Sequence, residues 1–142
     1  MIEEAKTLTP ELEAAMRELL AQLNPDIPFS LAALEKTVTD PNVHLFILRV
    51  DDDGRIAGAL SLALCPLLSG TKAWIEDVVV ASWARHRGYA RALLEHALCE
   101  ARRLGARKLL LTSRPERAAA NALYQGFGFV RRDTNVYQMI LV

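Results

Sequence analysis

The chain has 142 residues and a mass of 15.8 kDa, the size of one domain that buries its own core without disulfides or metals, and too short for a multi-domain machine. Hydrophobic residues make up 51% and charged residues 24%, the composition of a globule and not of a disordered segment. The 17 Lys and Arg cancel the 17 Asp and Glu, which removes the broad pull that nucleic-acid and anionic-membrane binders rely on and leaves any anion to be held by a local site.

In chain order, Ile2 to Leu8 is expected as a short first strand. Thr9-Pro10-Glu11 then reads as an N-cap, a proline tolerated in the first turn and an acid near the positive helix end. The helix that follows carries Leu12, Met16, Leu19, Leu20 and Leu23 on one apolar stripe, expected mostly in the core, and Asn24-Pro25-Asp26 stops it. Ser30 caps a second short helix with Leu31, Leu34 and Val38, ending before Asp40-Pro41. Val43 to Val50 predicts a strand, and Asp52-Asp53-Gly54 has the chemistry of a hairpin turn. Ile56 to Cys65 is rich in Ala and Leu, so propensity alone allows a helix; the turn before it and Pro66 after it favour a strand. Thr71 to Val80 is a stronger strand interrupted by Glu76-Asp77, whose side chains strand alternation sends to opposite faces.

Gly88 to Leu104 predicts an amphipathic helix with Ala90, Leu93, Leu94, Ala97, Leu98 and Ala101 on one stripe, ended by Gly105. Lys108 to Thr112 reads as a buried strand. Ser113-Arg114-Pro115-Glu116 has the form of a capping box before a helix reaching Gln125, and Gly126-Phe127-Gly128 leads into a final hairpin, Phe129 to Arg131 and Asn135 to Leu141. This order implies a single domain of the α/β (α+β) class over residues 1–142. Its sheet is mixed and mostly antiparallel, with a central parallel pair joined by a crossover helix, and about four helices flank it.

Cys65 and Cys99 are too far apart for a C-x-x-C pair and are expected as reduced, buried thiols of a cytoplasmic protein. The uncharged stretch from Ile56 to Thr71 is shorter than a membrane span and contains Ser61, Pro66, Ser69 and Gly70, so no transmembrane helix is expected. Glu3 and Glu4 stand where a secretory signal needs basic residues. His44, His86 and His96 have no metal-ligand spacing and the cysteines complete none, so no metal is expected.

Chemistry concentrates between Val80 and the helix at Gly88, in Arg85-His86-Arg87-Gly88-Tyr89-Ala90. A glycine there lets successive N–H groups turn toward one centre, the helix end adds about half a positive charge, and Arg85 and Arg87 add more; together these suit a pyrophosphate. A Rossmann G-x-G-x-x-G is absent, and Gly70-Thr71-Lys72 has the wrong order for a Walker loop. An ordinary basic turn capping a helix is the plain structural alternative.

The strand, Arg85-x-x-Gly88-x-Ala90, the amphipathic helix, the next strand and then Asn121-Ala122-Leu123-Tyr124 with Gly128-Phe129 resemble the GNAT superfamily of acetyl-CoA-dependent N-acyltransferases from about Val43 onward. Ala90 stands at the second glycine of that pattern, which the pattern permits, and Trp83-Ala84 stands where many members have a proline or an acid. The resemblance implies the acyl-CoA N-acyltransferase fold and acetyl-CoA as co-substrate, held by the backbone N–H groups of Arg85, His86, Arg87, Gly88, Tyr89 and Ala90. It implies that the backbone of Val78, Val79 and Val80 pairs with the pantetheine arm, that an N–H near Val79 or Val80 polarises the thioester carbonyl, and that Asn121 and Tyr124 sit near the arm. Tyr124 matches the family's general acid. Ile75 to Val80 looks like the corresponding strand of glucosamine-phosphate acetyltransferases, which implies Glu76 as base, with a water chain as the alternative. Asp77, sent the other way by alternation, is expected to be structural.

The implied activity is acetyl transfer to a primary amine of a small molecule, without nucleic acid or membrane as partner. The alternatives are a protein or peptide N-acetyltransferase and a non-catalytic acyl-CoA-binding domain. Asn24 to Phe29, Trp74, Asn135 and Tyr137 are candidates to line the acceptor pocket. Many members form homodimers, and no residue here marks a dimer surface.

Overall fold

The computed structural model describes residues 1–142, which divide into two compact units, Met1–Leu111 and Thr112–Val142. In the first, β1 (Ile2–Ala5), β2 (Val43–Arg49), β3 (Ile56–Cys65), β4 (Lys72–Val80) and β5 (Lys108–Leu110) form one sheet in that order. All neighbours are antiparallel except β4 and β5, which run parallel. Helices α1 (Pro10–Leu23), α2 (Leu31–Thr39) and α3 (Tyr89–Arg103) accompany the sheet. The expected mixed sheet with a parallel pair is therefore present, but the pair lies at the β5 edge of the sheet and not at its centre, because the chain after β5 adds no further strand. No helix is long and apolar enough to cross a membrane.

Local chemistry explains the helix starts. The Thr9 hydroxyl accepts from the Leu12 N–H at 3.1 Å and the Ser30 hydroxyl from the Ala33 N–H at 3.1 Å, each satisfying a donor that has no partner inside the helix. The β2–β3 hairpin turns on Gly54 at φ 73°, and the Val50 N–H donates to the Arg55 carbonyl. Arg49 ties this end of the sheet to α1, bonding Glu3, the Gly54 carbonyl and Glu11.

Phe46, Leu60, Leu62, Leu93 and Leu94 are the largest fully buried side chains. Alternation sends Leu45, Ala59 and Ser61 to one face and Phe46, Gly58 and Leu60 to the other. The second face packs on α3: His96 meets Phe46 edge-on at 4.6 Å, and a Cβ at Gly58 would lie 3.3 Å from Leu93 Cδ1. The first face lies under α1 and α2.

Several expectations are corrected. The first strand ends at Ala5, not Leu8. β5 is three residues long, half-buried at Leu109 and Leu110, because its pairing with β4 stops at Trp74–Leu110. Cys99 is exposed and Cys65 half-buried, both free thiols; Cys99 lies off the Leu93, Leu94, Ala97, Ala101 stripe that α3 buries. In the second unit the capping box does not form. The Arg117 N–H donates to the Arg114 carbonyl at 3.1 Å, so Pro115 sits in a turn, a position it favours, and α4 (Ala118–Gly126) starts only after it, with no side-chain cap. The final hairpin is also absent: residues 129–142 contain neither helix nor strand, and Val136, Tyr137 and Met139 are exposed. Arg132-Asp133-Thr134 lacks the glycine that short hairpin loops favour, and no residue in that stretch takes a positive φ.

Gly58→Ala should lower stability by about 1–3 kcal/mol in urea denaturation, because the added methyl meets the Val79 carbonyl at 3.0 Å as well as Leu93.

Candidate functional site

In β4 the ladder to β3 loses step. Ser61 pairs with Glu76 and Ala59 with Val79, so Asp77 and Val78 together oppose the single residue Leu60, which is a β-bulge. Asp77 sits at φ 52°, a left-handed conformation that Asp tolerates better than most non-glycine residues. The bulge breaks the alternation expected for the two acids. Asp77 lines the same cavity as Ser61 and Val79, and residues paired across antiparallel strands share a face, so Glu76 shares the Ser61 side. Asp77 therefore does not face away into a structural role, and its carboxylate makes no hydrogen bond or ion pair with the protein.

Both acids are held above their usual range. Loss of water raises Glu76 first, with repulsion from the Asp77 charge adding to it. Loss of water alone raises Asp77.

Asp77, but not Glu76, lines a cavity of about 300 Å³. Leu45, Ser61, Asp77 and Val79 form its sheet side, α1 contributes Met16, Leu20 and Leu23, and the segment Ile27-Pro28-Phe29 closes toward α2. The α1 stripe is thus divided: Leu12 and Leu19 are buried in the core, whereas the other three positions line the cavity. Of the expected lining residues, Ile27, Pro28 and Phe29 are present, and Asn24, Pro25, Asp26 and Trp74 are not. Asn135 and Tyr137 belong to the second unit.

Past Trp74, β4 has no β5 partner. The Ala81 N–H donates to the Ala57 carbonyl at 2.7 Å, so alternation turns the N–H and C=O of Val80 away from β3, toward the unpaired edge, while Val79 points at β3. The Val80 carbonyl accepts from Gln22 Nε2 at 2.7 Å, and Gln22 Oε1 accepts from the Ser82 N–H at 2.8 Å. Gln22 thereby clamps α1 to the end of β4. The sequence gives no hint of this, because Gln22 sits on an ordinary polar helix position.

After a short 3-10 turn (Ser82–Ala84), the chain enters the basic loop. His86 at φ 65° and Gly88 at φ 79° are both left-handed, and Arg85, His86, Arg87 and Gly88 are exposed. None of the N–H groups from Arg85 to Ala90 donates to a backbone carbonyl. A Cβ at Gly88 would meet no protein atom within 4 Å, so conformation and not crowding calls for glycine. A run of free amides at the start of a 15-residue helix, with two arginines among its residues, has the chemistry that suits an anion.

In the second unit, Asn121 and Tyr124 lie three residues apart on α4 and share a helix face. Asn121 Nδ2 donates to the Arg114 and Arg117 carbonyls, each at 2.9 Å, fixing the turn before its own helix. Tyr124 is half-buried and meets Phe129 edge-on at 6.2 Å. Burial pushes its phenol up, against a smaller downward pull from Arg117, which keeps the hydroxyl protonated and able to donate.

The sequence profile of the Acetyltransferase (GNAT) family matches residues 8–129. Among solved structures, AAC(6')-Iy in complex with the bisubstrate analog CoA-S-monomethyl-acetylneamine is similar with a TM-score of 0.81 at 20% identity, covering 100% of this chain and 98% of that one. Glucosamine-6-phosphate N-acetyltransferase from Arabidopsis thaliana gives 0.79 at 19% identity over 98% of both chains. An acetyltransferase from Trypanosoma brucei gives 0.77 at 24% identity, with 99% and 100% covered. These likenesses show the fold. No curated protein matches the sequence.

A carboxyl raised on folding destabilises the folded state above its folded pKa, and this penalty disappears as pH falls below the unfolded value. Asp77→Asn, which keeps a residue tolerant of positive φ, should therefore raise the denaturation midpoint at pH 7. The gain should shrink to nothing by about pH 3–4; a gain that grows toward low pH would contradict the assignment.

Proposed function

Because the chain belongs to the GNAT acetyltransferase family, we propose that residues 1–142 form one domain that transfers the acetyl group of acetyl-CoA directly to a primary amine of a small molecule. The observation that carries this reading is the loop from Arg85 to Ala90, with its free amides next to the unpaired edge of β4.

That loop fits a pyrophosphate, and the family resemblance puts the coenzyme there. The resemblance assigns the backbone of Val78, Val79 and Val80 to the pantetheine arm; Gln22 already holds the Val80 carbonyl, and the outward N–H of Val80 is the donor for the thioester oxygen, an effect worth roughly 3 kcal/mol when well placed. The amine lone pair attacks the carbonyl carbon, the C–N bond forms and the C–S bond breaks. A proton must leave the amine, which is mostly protonated at neutral pH, and the thiolate gains from receiving one. Glu76, whose raised pKa suits a base better than an ordinary carboxylate, accepts the amine proton directly or through water. Tyr124 gives its proton to the leaving sulfur, a role assigned by the motif and compatible with its protonated state. Asn121 is assigned beside the arm by the same motif, with its amide nitrogen already committed to its own turn.

Two measurements test the reading: heat on titration with acetyl-CoA, and thiol release with a panel of primary amines. Binding without release over the whole panel would leave a non-catalytic acyl-CoA domain. Gly88→Val should weaken acetyl-CoA binding about tenfold or more, since a left-handed β-branched residue costs at least the 1–2 kcal/mol that separates the two hands of the backbone; unchanged affinity would remove the pyrophosphate assignment. Tyr124→Phe should lower turnover about a hundredfold while leaving acetyl-CoA affinity intact.

A further inference from the structure

We infer that the acceptor is a monoamine on a compact apolar body, aliphatic or aromatic, seated in the cavity under α1 and α2 with its ammonium or amine nitrogen at Asp77. This rests on the acetyltransferase reading and names the acceptor class that reading leaves open.

The lining carries the argument. Every side chain that α1 presents to the cavity is apolar, Met16, Leu20 and Leu23, and Phe29 adds an aromatic wall whose outer side is covered by the Arg17 guanidinium at 4.3 Å. The polar atoms are few: the hydroxyls of Ser30, Thr37 and Ser61, and one carboxylate, Asp77. A polyhydroxylated amino sugar would lose water from many hydroxyls and find three partners, and each buried hydroxyl without a partner weakens binding. A polyamine would bring several ammonium groups to one charged residue. A monoamine with an apolar body leaves none of its own polar groups unmatched, and the Ser30 and Thr37 hydroxyls already bond the α2 backbone. Its body replaces water on the leucine, methionine and phenylalanine surface, and its charge meets a carboxylate that has no partner in the protein. At about 300 Å³ the cavity is at the small end of ligand sites and equals the volume of about ten waters, enough for a phenylethyl or hexyl group.

The site also sits where chemistry requires it. Asp77 and Val79 line the cavity, and the next residue of the same strand, Val80, aims its N–H at the open edge of β4. Glu76 adjoins Asp77 in the strand but does not line the cavity, so Asp77 is the one acid the bound nitrogen meets there.

The test combines steady-state kinetics with binding that does not need turnover. Thiol release is compared for 2-phenylethylamine, hexylamine, glucosamine, spermidine and a lysine-terminated peptide, and binding of 2-phenylethylamine is followed by ligand-observed NMR. The expected result is a kcat/KM for the two apolar amines at least tenfold above the other three. Asp77→Asn should raise the amine KM at least tenfold and leave the acetyl-CoA KM unchanged. Ala33→Phe, which fills the α2 side of the cavity, should abolish 2-phenylethylamine binding while acetyl-CoA still binds. Glucosamine, spermidine or the peptide equalling the apolar amines would overturn the inference and leave the acetyltransferase reading intact. Absence of turnover with every amine would instead remove the reading, and the NMR titration then decides the cavity alone: binding lost in Ala33→Phe supports an apolar amine site, and no binding to the unaltered protein refutes it.

Discussion

A single residue in the left-handed region, Asp77, governs how the central strands meet. On one side of β4 the ladder to β3 absorbs an extra residue and resumes at Val79. On the other side, pairing with β5 has already ended at Trp74. The bulge re-aims the strand, so an acidic side chain that regular alternation would send under α3 opens instead on the cavity beneath α1 and α2. The small residue at Gly58 lets Leu93 press against β3 and β4 from the other face, so the distorted strand is backed by tight packing.

The second organising feature is the run of backbone donors between Arg85 and Ala90. Zero net charge is no obstacle to anion binding when the donors are amides fixed by backbone geometry, because their partial charges do not enter the count of side chains. Gln22 joins this region to the cavity wall: one amide group bonds the last carbonyl of β4 and the first N–H of the turn leading into the loop. The run of free amides and the apolar cavity thus hang from the same short piece of chain.

Features set by neighbouring residues were legible in the sequence. Thr9 and Ser30 cap their helices because a hydroxyl three residues from an unmatched N–H suffices, and Ile56 to Cys65 is a strand because a Gly54 turn and Pro66 frame it. The basic glycine loop was readable because positive φ at Gly88 is a local property. The bulge was not, since alternation assumes an unbroken ladder, although two adjacent acids in an apolar strand were its one visible trace. The terminal hairpin had an alternating pattern but no turn to nucleate it. Pro115 was read as a helix start and proved to occupy a turn, a choice made by the Arg114–Arg117 hydrogen bond. The paired role of Asn121 was hidden for the same reason: its partners are carbonyls four and seven residues back, whose position depends on that turn.

The crowding of Glu76 and Asp77 has a consequence for how this sequence tolerates change. Two carboxyls raised by lost hydration, and one by its neighbour as well, are a local weakness in a sheet whose other contacts favour folding. A laboratory selection that rewards heat resistance alone would accept amides or alkyl groups at these two positions, and each gain would erase part of the acidic character of the cleft. With the roles proposed for them, stability and chemistry compete at these adjacent residues, and a library held to both criteria should keep them fixed while sampling the rest of the strand.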